Sequence, residues 1–96
     1  MEKQKVIVRG SRSGVFFGEL ADRNGGEVEL HNCRRLWFWS GAATLHQLAA
    51  EGVKDPSNSK FTMPVKSIVI LDAIEIIPCT DDAVANIARV KIWKNS

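Results

Sequence analysis

The run Arg34-Arg35-Leu36-Trp37-Phe38-Trp39 sets two of the chain's three tryptophans beside a pair of arginines. Read as a strand, its side chains alternate between faces, with Arg35, Trp37 and Trp39 on one and Arg34, Leu36 and Phe38 on the other. A chain of 96 residues makes one domain, residues 1–96, whose core is adequate but not generous. Such a core does not cover both faces of this strand. One aromatic stripe is left to meet a second subunit, or a ligand with charged groups and flat rings.

Composition narrows the choice. Hydrophobic residues make up 45% of the chain and charged residues 25%, the balance of a folded globular protein. The net charge of +2 argues against a polyanion binder that relies on a broad basic field. Local clusters remain available, because Arg9, Arg12, Arg34 and Arg35 gather towards the amino-terminal side. There is no signal-type apolar region and no run near the roughly 20 apolar residues of a membrane span, so a cytoplasmic protein without a membrane partner is expected. Cys33 and Cys79 fit no metal-ligand spacing and are expected as free thiols. No metal and no cofactor is expected.

The pattern predicts a β-rich α+β fold: a twisted antiparallel sheet or partial barrel of about five strands with two short helices. Val6 to Arg9 and Val15 to Ala21 read as strands around the turn Gly10–Gly14, with Gly18 marking a bulge or a close backbone approach. Asn24-Gly25 predicts a hairpin into a third strand from Glu27. Strict alternation from Val28 would set Asn32 and Arg34 on the face of Leu30 and Leu36, which is costly for polar groups. A bulge or corner near Asn32-Cys33, where the strand breaks and re-aims, is therefore expected. Leu45 to Glu51 reads as a helix stopped by Gly52, and Thr80 caps a second helix with Asp81 and Asp82 in its first turn. The stripe of that helix is Ala83, Val84, Ile87 and Ala88. Lys54 to Lys60 is the loop expected to move most, and Lys66 to Ile77 reads as one two-faced apolar strand.

Little here converges for catalysis, and no enzymatic activity is expected. His31 and Cys33 would share a strand face and can be drawn as a base and its nucleophile, a pairing that chance also supplies. Asp72 and Glu75 interrupt an apolar strand and read as exposed points or arginine partners. The stronger candidates are Arg34, Arg35, Trp37 and Trp39, with Phe61 as a further stacking ring and Arg9 and Arg12 extending the basic surface. Guanidinium forks hold phosphates, and indole faces stack on bases or cations. The same residues equally suit a core or an oligomer seam.

The segments Val6-Ile7-Val8-Arg9, Ser13 to Leu20, Asn32 to Trp37, Gly41 to Leu45 and Ala73 to Thr80 resemble, in this order, a family of short phage and prophage proteins known only as a domain of unknown function. The resemblance runs from about Val6 to Trp93. It implies a virus-encoded protein acting in the cytoplasm of a bacterial host, and it carries no catalytic residues. Small phage proteins often counter host defence, some of them as oligomers that sequester nucleotide signals. The leading expectation is thus a non-enzymatic binding protein, of anti-defence type, that captures a small anionic nucleotide-like ligand. The alternatives are a protein–protein inhibitor or assembly component acting on a host protein, and a single-stranded nucleic-acid binder. A homo-oligomer is expected, because the two-faced strand and the aromatic stripe exceed what one small core can bury.

Overall fold

Alternating apolar residues drive the first third of the chain into an antiparallel meander. In the computed structural model, which describes residues 3–95, strands β1 (Lys5–Gly10), β2 (Val15–Asn24) and β3 (Glu27–Phe38) pair in sequence order. The β2–β3 hairpin pairs Asn24 with Glu27, so its two-residue loop is Gly25-Gly26 and not the expected Asn-Gly. Gly25 takes φ 62°, the sign that tight hairpin turns require at their first central residue.

β3 does not break at Asn32, but it changes face there. Between the pairs Phe17↔Arg34 and Glu19↔His31, β2 advances by two residues and β3 by three. The extra residue is absorbed by Asn32, which sits at φ 51° and donates from its side-chain amide to Glu19 Oε2 at 3.2 Å. Gly18 lies opposite the bulge, where a Cβ would approach the His31 carbonyl to 3.1 Å and the Cys33 Cα to 3.2 Å. Val28, Leu30 and Cys33 thus share one core, while Leu36 belongs to the other.

The apolar run read as one strand is two. β5 (Val65–Ile70) pairs with β3 and β6 (Ala73–Pro78) pairs with β1, both antiparallel. Since β1 and β3 each run against β2, β5 and β6 run in the same direction, and Leu71-Asp72 is a corner in one bent path. Asp72 holds that corner: its carboxylate accepts from the backbone N–H groups of Arg12 and Ser13 and from the Ser13 hydroxyl. The sheet curls around a first core of Val6, Val8, Phe16, Leu30 and Ile70, but it does not close.

Its outer face is covered by helices α1 (Leu45–Glu51) and α2 (Asp81–Arg89). Thr44 and Thr80 cap their N-termini through side-chain oxygens, accepting from the N–H groups of Gln47 and Ala83. Leu48, Ala49, Ala83 and Ile87 are buried, Val84 is half-buried, and Ala88, expected in the stripe, is exposed. Ile7, Phe17, Leu36 and Phe61 meet the helices in a second core. Phe61 comes from the two-residue strand β4 (Lys60–Phe61), which extends the sheet beyond the carboxyl half of β3. The loop before it is organised by Asp55, whose carboxylate accepts from Ser57 and Asn58.

A branched side chain tolerates the left-handed region poorly. Asn32→Val should lower the unfolding free energy by about 1–2 kcal/mol, while Asn32→Gly should stay near neutral. Urea denaturation of the two variants checks both values.

Candidate functional site

The two neighbouring arginines have opposite fates. Arg34 follows the bulge onto the helix side and is 7% exposed. Its Nε donates to the Thr62 carbonyl at 2.8 Å, Nη1 to the Ile87 carbonyl at 2.8 Å and Nη2 to the Phe61 carbonyl at 3.3 Å. One guanidinium thus ties β3 to β4 and to the last turn of α2, where a cation also suits the helix dipole. Burial pushes its pKa down. With its donors on carbonyls, Arg34 is a structural clamp and not a phosphate ligand.

Three more of the sequence candidates are committed elsewhere. Phe61 is fully buried, so it presents no ring for stacking. Trp39 packs half-buried against the helix-side core, away from the Trp37 side that alternation had assigned to it. Arg9 pairs with Glu75 at 2.6 Å. Arg12, Arg35 and Trp37 remain.

Arg12 and Arg35 border one concave surface on the side of the sheet away from the helices, and Trp37 follows two residues after Arg35 on β3. Arg35 lies over the Phe16 ring, with Cζ 4.7 Å from its centroid. Its backbone N–H donates to Thr62 Oγ1 at 2.8 Å, which fixes the strand beneath it. Phe16, Arg35 and Ile68 are common walls of two adjoining cavities of about 310 and 340 Å³. The first continues past Met63 and Val65, the second past Leu71 to Arg12. Among the described residues neither Arg35 nor Arg12 makes an ion pair. Asp72 also lines the second cavity, but hydrogen bonds from the Ser13 hydroxyl and the Arg12 and Ser13 amides occupy its carboxylate and hold its pKa low. The groove therefore joins an apolar floor to two cations and to one ionised carboxylate, Asp72, whose oxygens are turned to the Arg12–Ser13 backbone.

Beyond Arg35 the surface becomes aromatic. Trp37 and Trp93 stack at 6.2 Å between centroids and 15° between planes, and Lys60 Nζ lies 5.4 Å from the Trp93 centroid. Trp37 is 62% exposed. The carboxyl-terminal segment reaches this place through a parallel bridge between Phe61 and Ile92 and a bond from the Trp93 N–H to the Phe61 carbonyl. Trp93 and Lys60 carried no sequence signal that linked them to Trp37, because the contact depends on how the tail docks.

The other chemistry considered from sequence does not assemble. The Asn32 bulge sends Cys33 into the inner core and leaves His31 half-exposed beside Glu29, with Nε2 2.9 Å from Glu29 Oε2. Ser67 donates to the same carboxylate and not to the imidazole. Burial pushes the Cys33 thiol up to about 12 and the Cys79 thiol up to about 11. Both are poor nucleophiles at neutral pH. No cluster of three or more His, Cys, Asp or Glu suited to a metal occurs among the described residues. A further cleft of about 330 Å³ lies between α2 and the β3 bulge, but the guanidinium in its wall is that of Arg34.

Replacing the clamp should be costly where replacing the groove arginine is not. Arg34→Met should lose about 3 kcal/mol of stability by leaving buried carbonyls unpaired, against under about 0.5 kcal/mol for Arg35→Ala. Chemical denaturation separates the two. The thiols give a pH signature. Their folded pKa values are raised from about 9, so the stability they contribute is complete below pH 9 and falls as the pH climbs towards 11–12. Alkaline melts of a Cys33→Val, Cys79→Val variant should lose that component, and both thiols of the native protein should resist a thiol reagent at pH 7.

Neither the curated proteins nor the solved structures include a match to this chain. A family model does match, over residues 3–87, and its description is Domain of unknown function (DUF6948). With most of its length covered by that model, the inner core, α1 and most of α2 included, the chain belongs to the DUF6948 family.

Proposed function

We propose that the protein is a non-enzymatic binding protein that holds a small anionic, nucleotide-like ligand in the groove of Arg12 and Arg35. The observation that carries this reading is the Arg35 guanidinium, which rests on an aromatic ring at the rim of a cavity and makes no ion pair among the described residues, the Asp72 carboxylate of that cavity being bonded to the Arg12–Ser13 turn. An arginine stacked in this way keeps its donors in one plane, suited to a phosphate or carboxylate fork. The apolar floor would take a flat ring, and the neighbouring Trp37 a second one. Such capture fits the resemblance to short phage proteins, for which withdrawing a host nucleotide would be a useful act.

A second reading, contact with another protein or a second copy, is favoured by a different place. Leu71 is 71% exposed and Ile74 is 53% exposed, both at or beside the corner of the bent strand. Apolar side chains left in water at such a corner suit burial against a partner.

Native mass spectrometry of the protein purified from bacterial cells tests the first reading directly. A retained mass of nucleotide size is expected. Arg35→Ala should weaken its binding by about 1.5–3 kcal/mol, the worth of a hydrogen bond to a charged group. An unchanged affinity removes Arg35 from the site, and a dimer without added mass favours the corner.

A further inference from the structure

We infer that the groove and the tryptophan pair form one continuous track for single-stranded nucleic acid, in which Arg12 and Arg35 meet phosphates and the Trp37–Trp93 platform receives a base. The inference rests on the proposed anion groove and names its ligand class. Arg35 and Trp37 are two residues apart on β3, within about 7 Å along a strand whose register against β4 shifts between Leu36 and Phe38, and that span leaves room for one nucleotide unit between a phosphate contact and a stacked base. Lys60 adds a third cation at the far end, over the Trp93 ring. Cations and aromatic planes thus succeed one another from Arg12 through Arg35 and Trp37 to Lys60, the arrangement by which single strands are held without sequence readout.

The geometry discriminates among nucleic-acid ligands. A mononucleotide seated on Arg12 and Arg35 leaves the tryptophan platform empty. That platform is a large apolar plane in which Trp37, stacked by one face on Trp93, is still 62% exposed. A duplex keeps its bases stacked on one another and cannot lay one on an indole. Both helices lie on the opposite side of the sheet, so none is presented to a major groove. Among the described residues three cations, Arg12, Arg35 and Lys60, line the track with the Asp72 carboxylate beside them, which agrees with the small net charge and limits the electrostatic share of binding.

Fluorescence anisotropy with a labelled oligothymidylate of about ten nucleotides, thymidine monophosphate and a duplex of equal length tests this. The oligonucleotide should bind at least about tenfold more tightly than the monophosphate or the duplex, as expected where base stacking adds to phosphate contact. Its log affinity should fall with log salt at a slope of about −2, for three phosphate contacts on a single strand. Trp93→Ala and Lys60→Ala should each weaken the oligonucleotide by about fivefold or more and leave the monophosphate unchanged. Lys60 is exposed, so its variant reports even where loss of Trp93 loosens the tail. Arg35→Ala should weaken both ligands, and Arg23→Ala, away from the track, neither. Equal affinity for monophosphate and oligonucleotide, with both platform variants silent, overturns the track and keeps the anion groove. Tighter binding of the duplex also overturns it. No binding of any of the three, or an Arg35→Ala variant that binds like the parent, overturns the groove and the track together.

Discussion

Asn32 occupies a left-handed backbone conformation, and that one residue decides which side of the sheet each later side chain of β3 faces. Without the extra residue, Leu30 and Arg34 would point the same way, and a guanidinium would enter the inner core. With it, Cys33 joins Val28 and Leu30 inside, and Arg34 crosses to the helix side. There its donors find the carbonyls of Phe61, Thr62 and Ile87. Arg35 is thereby placed over Phe16, at the rim of the groove. Gly18 makes the arrangement possible, since any Cβ there would crowd the His31 carbonyl and Cys33.

Much of this was legible where local physics acted alone. The parity conflict between Val28 and Arg34 predicted a bulge, and the bulge is there. Thr44, Gly52 and Thr80 predicted helix ends that the hydrogen bonds bear out. Where two faces of an element were equally apolar, the pattern was silent. Lys66 to Ile77 gave no sign of a corner, because it is apolar on both faces and only the distant turn at Arg12-Ser13 singles out Asp72. The hairpin slipped by one residue because Asn-Gly and Gly-Gly both satisfy a tight turn.

The candidate site was less legible than the fold. Alternation separated Arg34 from Arg35 but left open which face the helices would cover, and that choice turns one arginine into a clamp and exposes the other. Phe61 was read as a further stacking ring, yet β4 carries it beneath α1 and α2. The partnership of Trp93 with Trp37 and Lys60 arises from a backbone bond between segments far apart in sequence. The two faces of β3 now divide the work. One fixes the fold through a buried cation, and the other offers a cation and a ring to solvent.

The bent path from β5 to β6 bears on how the chain reaches this state. Val28 meets Ile70 and Val8 meets Ile76, so the inner core gains its last wall only when most of the sequence is available. The meander of β1 to β3, joined by short turns, closes small loops first. Loop-closure entropy favours an order in which the meander forms, the bent strand latches across it, and α2 seats last against Arg34. Until that latch is made, the edges of β1 and β3 stand open together. During that interval the chain is most vulnerable to pairing with a neighbour instead of with itself.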